Sequence, residues 1–235
     1  MLHPPSLALL RCACVSSAWQ DIRIGDGPGL TTKAEIGNLD SNLGRVPIAD
    51  TTAGPIGQAA AINYLVATEC GMMGKNAFEA AQILSFCEHI KELSGVYNGL
   101  VPWGSEPTKA ALDSFFGADG PKDFCGHAEM QSRSSRRLEW FLGRMERLVP
   151  GDGHAVGGAL SLADVMLFDV LANHLTQDDC LDAAALPAHR RERFASKART
   201  DEALARHPKL AAIVAKVGAN PKLSAWLKTR GKQGF

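Results

Sequence analysis

The sequence predicts a small α/β sandwich followed by an all-helical half, and three observations lead to that reading. Residues 1 to about 75 mix short extended runs, turns and helical stretches, whereas from Asn76 onward the pattern is almost wholly helical. Leu43 to Leu65 set out, in order, a Val-Pro step, a short apolar strand, a Gly-Pro turn, a single-strand return and an alanine-rich helix. Ala159-Leu-Ser-Leu-Ala-Asp-Val165 has the signature of a helix start ahead of an apolar run.

Leu7 to Val15 read as a helix and Trp19 to Ile24 as an extended segment, with a loop over Gly25 to Gly29 marked by three glycines and a proline. A strand is expected over Val46 to Ala49, a turn over Thr52 to Pro55, and a helix over Ala59 to Thr68, with Gln58 at its first turn. Gly71 to Gly74 end that helix and form an interdomain linker. Ala77, Ala81, Leu84, Cys87 and Ile90/Lys91 recur at spacings of three and four, as on one helix face. Pro102 to Cys125 is read as an irregular excursion with a short helix around Ala110 to Phe116. A second amphipathic stretch runs from about Arg136 to Leu148 and presents Leu138, Phe141, Leu142, Met145 and Leu148.

Ser161 is a good N-cap, and Asp164 three residues later can return to its amide. Leu160 and Val165 then occupy the staple positions, and Met166 to Ala172 is apolar nearly all round, which predicts a buried central helix. Near the C-terminus an Asn220-Pro step breaks a helix, and Leu223, Trp226 and Leu227 form a last packed turn.

A chain of 235 residues can bury a sizeable core, and 46% hydrophobic with 21% charged residues is a globular composition. Lys+Arg and Asp+Glu both number 25, so the zero net charge gives no general attraction to nucleic acid or anionic membranes. The run Arg133 to Arg137 is read as a solvated helix face. Six cysteines lack any paired spacing and are read as reduced thiols in a cytosolic protein. Nothing spans a membrane. Leu7 to Val15 is a poor secretory core, because Arg11 interrupts it.

The stretch Gly44, Arg45, Val46, Pro47 and, beyond the hairpin, Gln58 resembles the glutathione site of the soluble glutathione transferases, particularly the sigma and mu-like group. The resemblance extends from roughly residue 15 through the capped helix and the last helices. It implies a thioredoxin-like glutathione-binding domain over residues 1–74 and an all-helical domain over 76–235. Only about 5–6% of X-Pro bonds are cis in folded proteins, but the family's proline at this position is cis, and the resemblance implies the same for Val46-Pro47. Val46 would then pair with the cysteinyl backbone of glutathione as an added strand. Gln58 and the amide of Ala59 would receive the γ-glutamyl carboxylate at the helix N-terminus. Ala59 departs from the family's serine, which removes one hydroxyl worth about 0.5–1.5 kcal/mol. Arg45, and more weakly Lys33, would meet the glycyl carboxylate; the tryptophan that precedes this lysine in the family is Leu30 here.

The resemblance is incomplete at the thiol. A free thiol with a pKa near about 8.5 needs a hydroxyl donor to ionise at neutral pH, and the sigma and mu-like classes use a tyrosine on the first strand. The two tyrosines, Tyr64 and Tyr97, do not fall there, and Ser6 is the one visible hydroxyl; its other reading is a plain helix N-cap. Either the chain begins inside a longer protein or the usual residue has been lost.

The family resemblance implies an enzyme that joins the thiol of glutathione, its co-substrate, to small electrophiles held near Tyr97 to Trp103, with a prostaglandin-synthase-type isomerase as a variant. It also implies a cytoplasmic homodimer. The alternative is a non-catalytic member of the fold, which the missing tyrosine and Ala59 favour. A redox protein acting through cysteine comes third, since Cys12 and Cys14 fall inside the expected first helix.

Overall fold

The computed structural model describes residues 37, 39–102, 105–117, 136–175 and 192–229, and elements are numbered within these. β1 (Ile48–Thr51) and β2 (Gly54–Gly57) pair antiparallel, with Ile48 opposite Gly57 and Thr51 opposite Gly54. The Thr51 hydroxyl closes the turn: it donates to the Gly54 carbonyl (2.7 Å) and accepts from the Ala53 amide (3.2 Å). The turn is therefore tighter than the sequence predicts, and Gly54 and Pro55 belong to β2 rather than to the turn.

Helix α1 (Ala59–Glu69) follows at once and buries Ile62, Val66 and Ala67. It stops at Gly71, whose φ of 68° suits glycine. The Met72 amide then reaches the Ala67 carbonyl (2.7 Å) and the Gly71 amide the Thr68 carbonyl (3.1 Å), the double closure of a Schellman end. The segment read as a linker is part of the core: Met72 and Met73 are buried, and the Met72 carbonyl accepts the Leu162 amide (3.0 Å).

Helix α2 (Ala77–Leu100) starts on Asn76, whose side-chain oxygen accepts the Phe78 and Glu79 amides at 3.0 Å each. Its buried stripe is Ile83, Phe86, Cys87, Ile90, Leu93 and Ser94. This corrects the face predicted from Ala77: Cys87 and Ile90 lie on it, but Leu84, Ala81 and Lys91 are exposed. The larger side chains Ile83 and Phe86 turn inward and set the rotation of the helix. Helix α3 (Lys109–Phe116) begins on the Thr108 hydroxyl, and α4 (Leu138–Leu148) buries Leu138, Phe141, Leu142 and Met145 while leaving Leu148 exposed.

Helix α5 (Leu162–Ala172) is the centre of the helical half, packed against α2 on one side and the later helix Pro208–Gly218 on the other. The predicted capping box is present, and it extends further than local sequence indicates. The fully buried Asp164 carboxylate accepts the Ser161 amide and hydroxyl (2.7 Å each) and also the Ala155 amide (2.6 Å) from the preceding loop. Burial pushes its carboxyl upward, opposed by these hydrogen bonds and by His154 at 3.8 Å.

A 3-10 turn (Arg193–Ala195) leads into α6 (Lys197–Ala205), α7 (Pro208–Gly218) and α8 (Pro221–Thr229). Phe194 and Ala195 both have positive φ, 51° and 58°. The turn is braced on both sides. Arg193 donates through its amide to His174 Nδ1 (3.0 Å) and through its guanidinium to the Asn173 carbonyl and Asp169, while the Thr200 hydroxyl donates to the Arg193 carbonyl. The Asn220-Pro221 step breaks the chain between α7 and α8 and Leu223 is fully buried, as the sequence predicts; the Asn220 side chain also caps α8.

Two further expectations are corrected. The described part of the arginine run is not a solvated face: Arg136 pairs with Glu92 (2.7 Å) and stacks over Trp140, and Arg137 donates to Ser114 (3.0 Å). Cys70 is disulfide-bonded, so the six cysteines are not all reduced; Cys87 is a free, buried thiol. Among the described residues no helix is long and apolar enough to cross a membrane.

Candidate functional site

The residues singled out around the hairpin come together at one end of it. The Val46–Pro47 peptide bond is cis, the geometry that the family resemblance implies. Pairing in the hairpin begins at Ile48 opposite Gly57, so Val46 and Pro47 lie just before the first paired position and Gln58 just after the last. A backbone edge and a helix start therefore share one end of the sheet.

Gln58 has φ 70° and ψ 121°, a conformation that costs a non-glycine residue about 1–2 kcal/mol. Its carbonyl accepts the Ile62 amide (3.0 Å), but its side chain makes no capping bond to the helix. The plain reading of Gln58 as a helix cap fails on that point, and the carboxamide projects from an exposed residue. Ala59 opens α1, so position 59 offers no hydroxyl to the amides of the first turn.

Arg45 is exposed, and its Nε donates to the Asn42 carbonyl (3.4 Å), which anchors the guanidinium at one corner. Ser6, Lys33 and Trp103 lie outside the described residues, as do Cys12 and Cys14. Tyr64 is exposed on α1. Tyr97 is built into an aromatic cluster, with ring centroids 5.0 Å from Phe115 and 5.1 Å from Phe194. Neither tyrosine lies at the end of the hairpin.

Sequence reasoning missed two residues here. Asn42 closes a 3-10 turn (Asp40–Asn42) and is buried, and its side-chain Nδ2 donates to the Pro47 carbonyl (2.9 Å). Gly57 lies directly against it: a Cβ there would stand 2.5 Å from the Asn42 Cβ and 2.6 Å from the Ser41 carbonyl. No local pattern marks either contact, because the partners lie on different elements. An asparagine ahead of Leu-Gly, with Leu43 and Gly44 both at positive φ, is the one turn signal available.

Residues 124–230 match the family model described as glutathione S-transferase, C-terminal domain. The S-crystallin SL11 of Nototodarus sloanii is 24% identical over 182 residues, spanning 76% of this chain and 69% of that protein. A monomeric glutathione S-transferase of the hookworm Necator americanus superposes with a TM-score of 0.63 at 20% identity, covering 100% of this chain and 97% of that one. Prostaglandin synthase D of Nilaparvata lugens gives 0.62 at 14%, covering 97% and 92%. These likenesses fix the architecture as a thioredoxin-like N-terminal domain followed by an all-α C-terminal domain. The chain thus has the fold of the glutathione S-transferases, and its residues 124–230 match the C-terminal domain of that family.

Proposed function

We propose that this chain binds glutathione at the Val46–Gln58 end of the hairpin and joins its thiol to small electrophiles. The observation behind this reading is Gln58, a strained, exposed residue at a helix N-terminus whose side chain is not spent on capping that helix. Residues 1–74 act as the glutathione-binding domain and 76–235 as the helical domain that faces the electrophile. Val46 offers its backbone to the cysteinyl unit. Gln58 and the first amides of α1, Ala59 included, take the γ-glutamyl carboxylate. Arg45 and Lys33 meet the glycyl carboxylate, and Ser6 supplies the hydroxyl that favours the thiolate. The sigma-type isomerase reaction is a variant of the same chemistry, and the likeness to a protein named prostaglandin synthase D supports its inclusion.

The homodimer and the cytoplasmic setting belong to this reading as well. A second reading, a non-catalytic protein of the same fold, is favoured by the match to a protein named as a crystallin and by alanine at position 59.

Calorimetric titration of glutathione into the full chain, followed by turnover of an aryl halide electrophile, tests these readings. Micromolar-to-millimolar binding that weakens about tenfold in Gln58→Ala supports the site. Turnover lost in Ser6→Ala with binding retained supports the enzyme. Binding without turnover leaves the second reading, and no binding at all removes the site.

A further inference from the structure

Asn42 is a buried polar residue with its groups engaged on both sides of Val46. Its backbone carbonyl accepts the Arg45 amide (3.1 Å) and the Arg45 Nε (3.4 Å). Its side-chain amide donates to the Pro47 carbonyl (2.9 Å), and because a carbonyl can only accept, the orientation of the carboxamide is settled. The residues before and after Val46 are thus tied to one side chain and its own backbone, and Val46 spans the gap between them. The Asn42 amide is itself held by the Leu39 carbonyl (3.0 Å), which seats the turn.

The second half of the site touches the same residue. Gly57 immediately precedes Gln58, and any side chain there would run into Asn42 Cβ at 2.5 Å and Cγ at 2.7 Å. Glycine at 57 is required by space, since its φ is not positive. Asn42 therefore contacts both the edge that includes Val46 and the strand end that delivers Gln58, and it sets the distance between them.

We propose that Asn42 is the positioning residue of the glutathione site, aligning the Val46 backbone with Gln58; this rests on the proposed function above. Asn42→Asp keeps the shape but puts a second acceptor against the Pro47 carbonyl. Glutathione titrated into the full-length variant should bind about tenfold more weakly or worse at about pH 7.5. Burial against the Pro47 carbonyl holds that carboxyl above its ordinary range, so part of the loss should return at about pH 5 as it gains a proton and donates again. Wild-type affinity should change less over the same interval. Gly57→Ala, which displaces Asn42 from the other side, should weaken binding similarly, and the double variant should be no weaker than the worse single. Urea unfolding of the helical half should stay at the wild-type midpoint in all three variants.

The proposal is overturned by variants that bind as wild type does, by additive losses, or by a loss that follows unfolding with no recovery at low pH. If Asn42→Asp does not fold, Gly57→Ala decides alone: wild-type affinity there overturns the proposal. A wild-type chain that takes up no glutathione brings down the proposed function and this inference together, whereas wild-type binding with Asn42→Asp unaffected overturns this inference alone.

Discussion

Replacing Asp164 with alanine should be among the most damaging single changes in the helical half. The side chain is fully buried and takes three hydrogen bonds, from the amides of Ala155 and Ser161 and from the Ser161 hydroxyl. Its removal strands two buried backbone donors, each costing about 1–3 kcal/mol, while the Ser161 cap loses its reciprocal partner. Some of that loss is offset, because burial already disfavours the charged carboxylate, as its upward-shifted pKa shows. The net destabilisation works out at about 3–5 kcal/mol, a large part of the roughly 5–15 kcal/mol that holds a domain together. Urea unfolding followed by far-ultraviolet circular dichroism reads this as a lower midpoint at unchanged slope. Asp164→Asn keeps one acceptor and should lose about half as much, and Ser161→Ala, which spares both amides, about 1 kcal/mol. A loss below about 1 kcal/mol for Asp164→Ala would show that water or a loop shift satisfies the Ala155 and Ser161 amides, and would refute the reasoning.

Glu146→Ala should cost about 1–2 kcal/mol in the same assay, because its carboxylate accepts the Lys209 and Leu210 amides (3.0 Å each) and caps α7, which His207 does not; an unchanged midpoint contradicts this. Burial, with Lys197 nearby, lowers the His174 pKa to about 4, while Asp201 at 4.0 Å opposes the shift. The folded state then binds fewer protons than the unfolded chain below the ordinary histidine value of about 6.5, so stability should be full above that pH and decline as pH falls toward 4. His174→Gln should flatten that decline in unfolding free energies measured across the window, and an unaltered slope counts against the assignment. Burial, with Glu88 and Asp164 adding to it, pushes the Cys87 thiol up to about 12, so a thiol reagent should label it only at the rate of unfolding; rapid native labelling at Cys87, located by mass spectrometry, is the contrary result.

The sequence by itself determined the features whose causes are local. The hairpin, the Gly71 helix end, the Ser161–Asp164 box and the Asn220-Pro221 break each lie within a few residues, where backbone sterics and a neighbouring side chain decide the outcome. The cis Val46-Pro47 bond was legible because the residues around it resemble a known site, although the strained backbone of Gln58 was not. Tertiary structure decided what depends on partners far apart in sequence. It selected Ile83 and Phe86 over Leu84 for the buried face of α2, turned Arg136 onto Trp140 and Glu92, and brought Glu146 to the start of α7. It also set Asn42 between Pro47 and Gly57 and left Cys70 in a disulfide. In each of these the deciding energy is a contact whose two halves are brought together only when the elements pack, and periodicity along one segment holds no record of which neighbour will arrive.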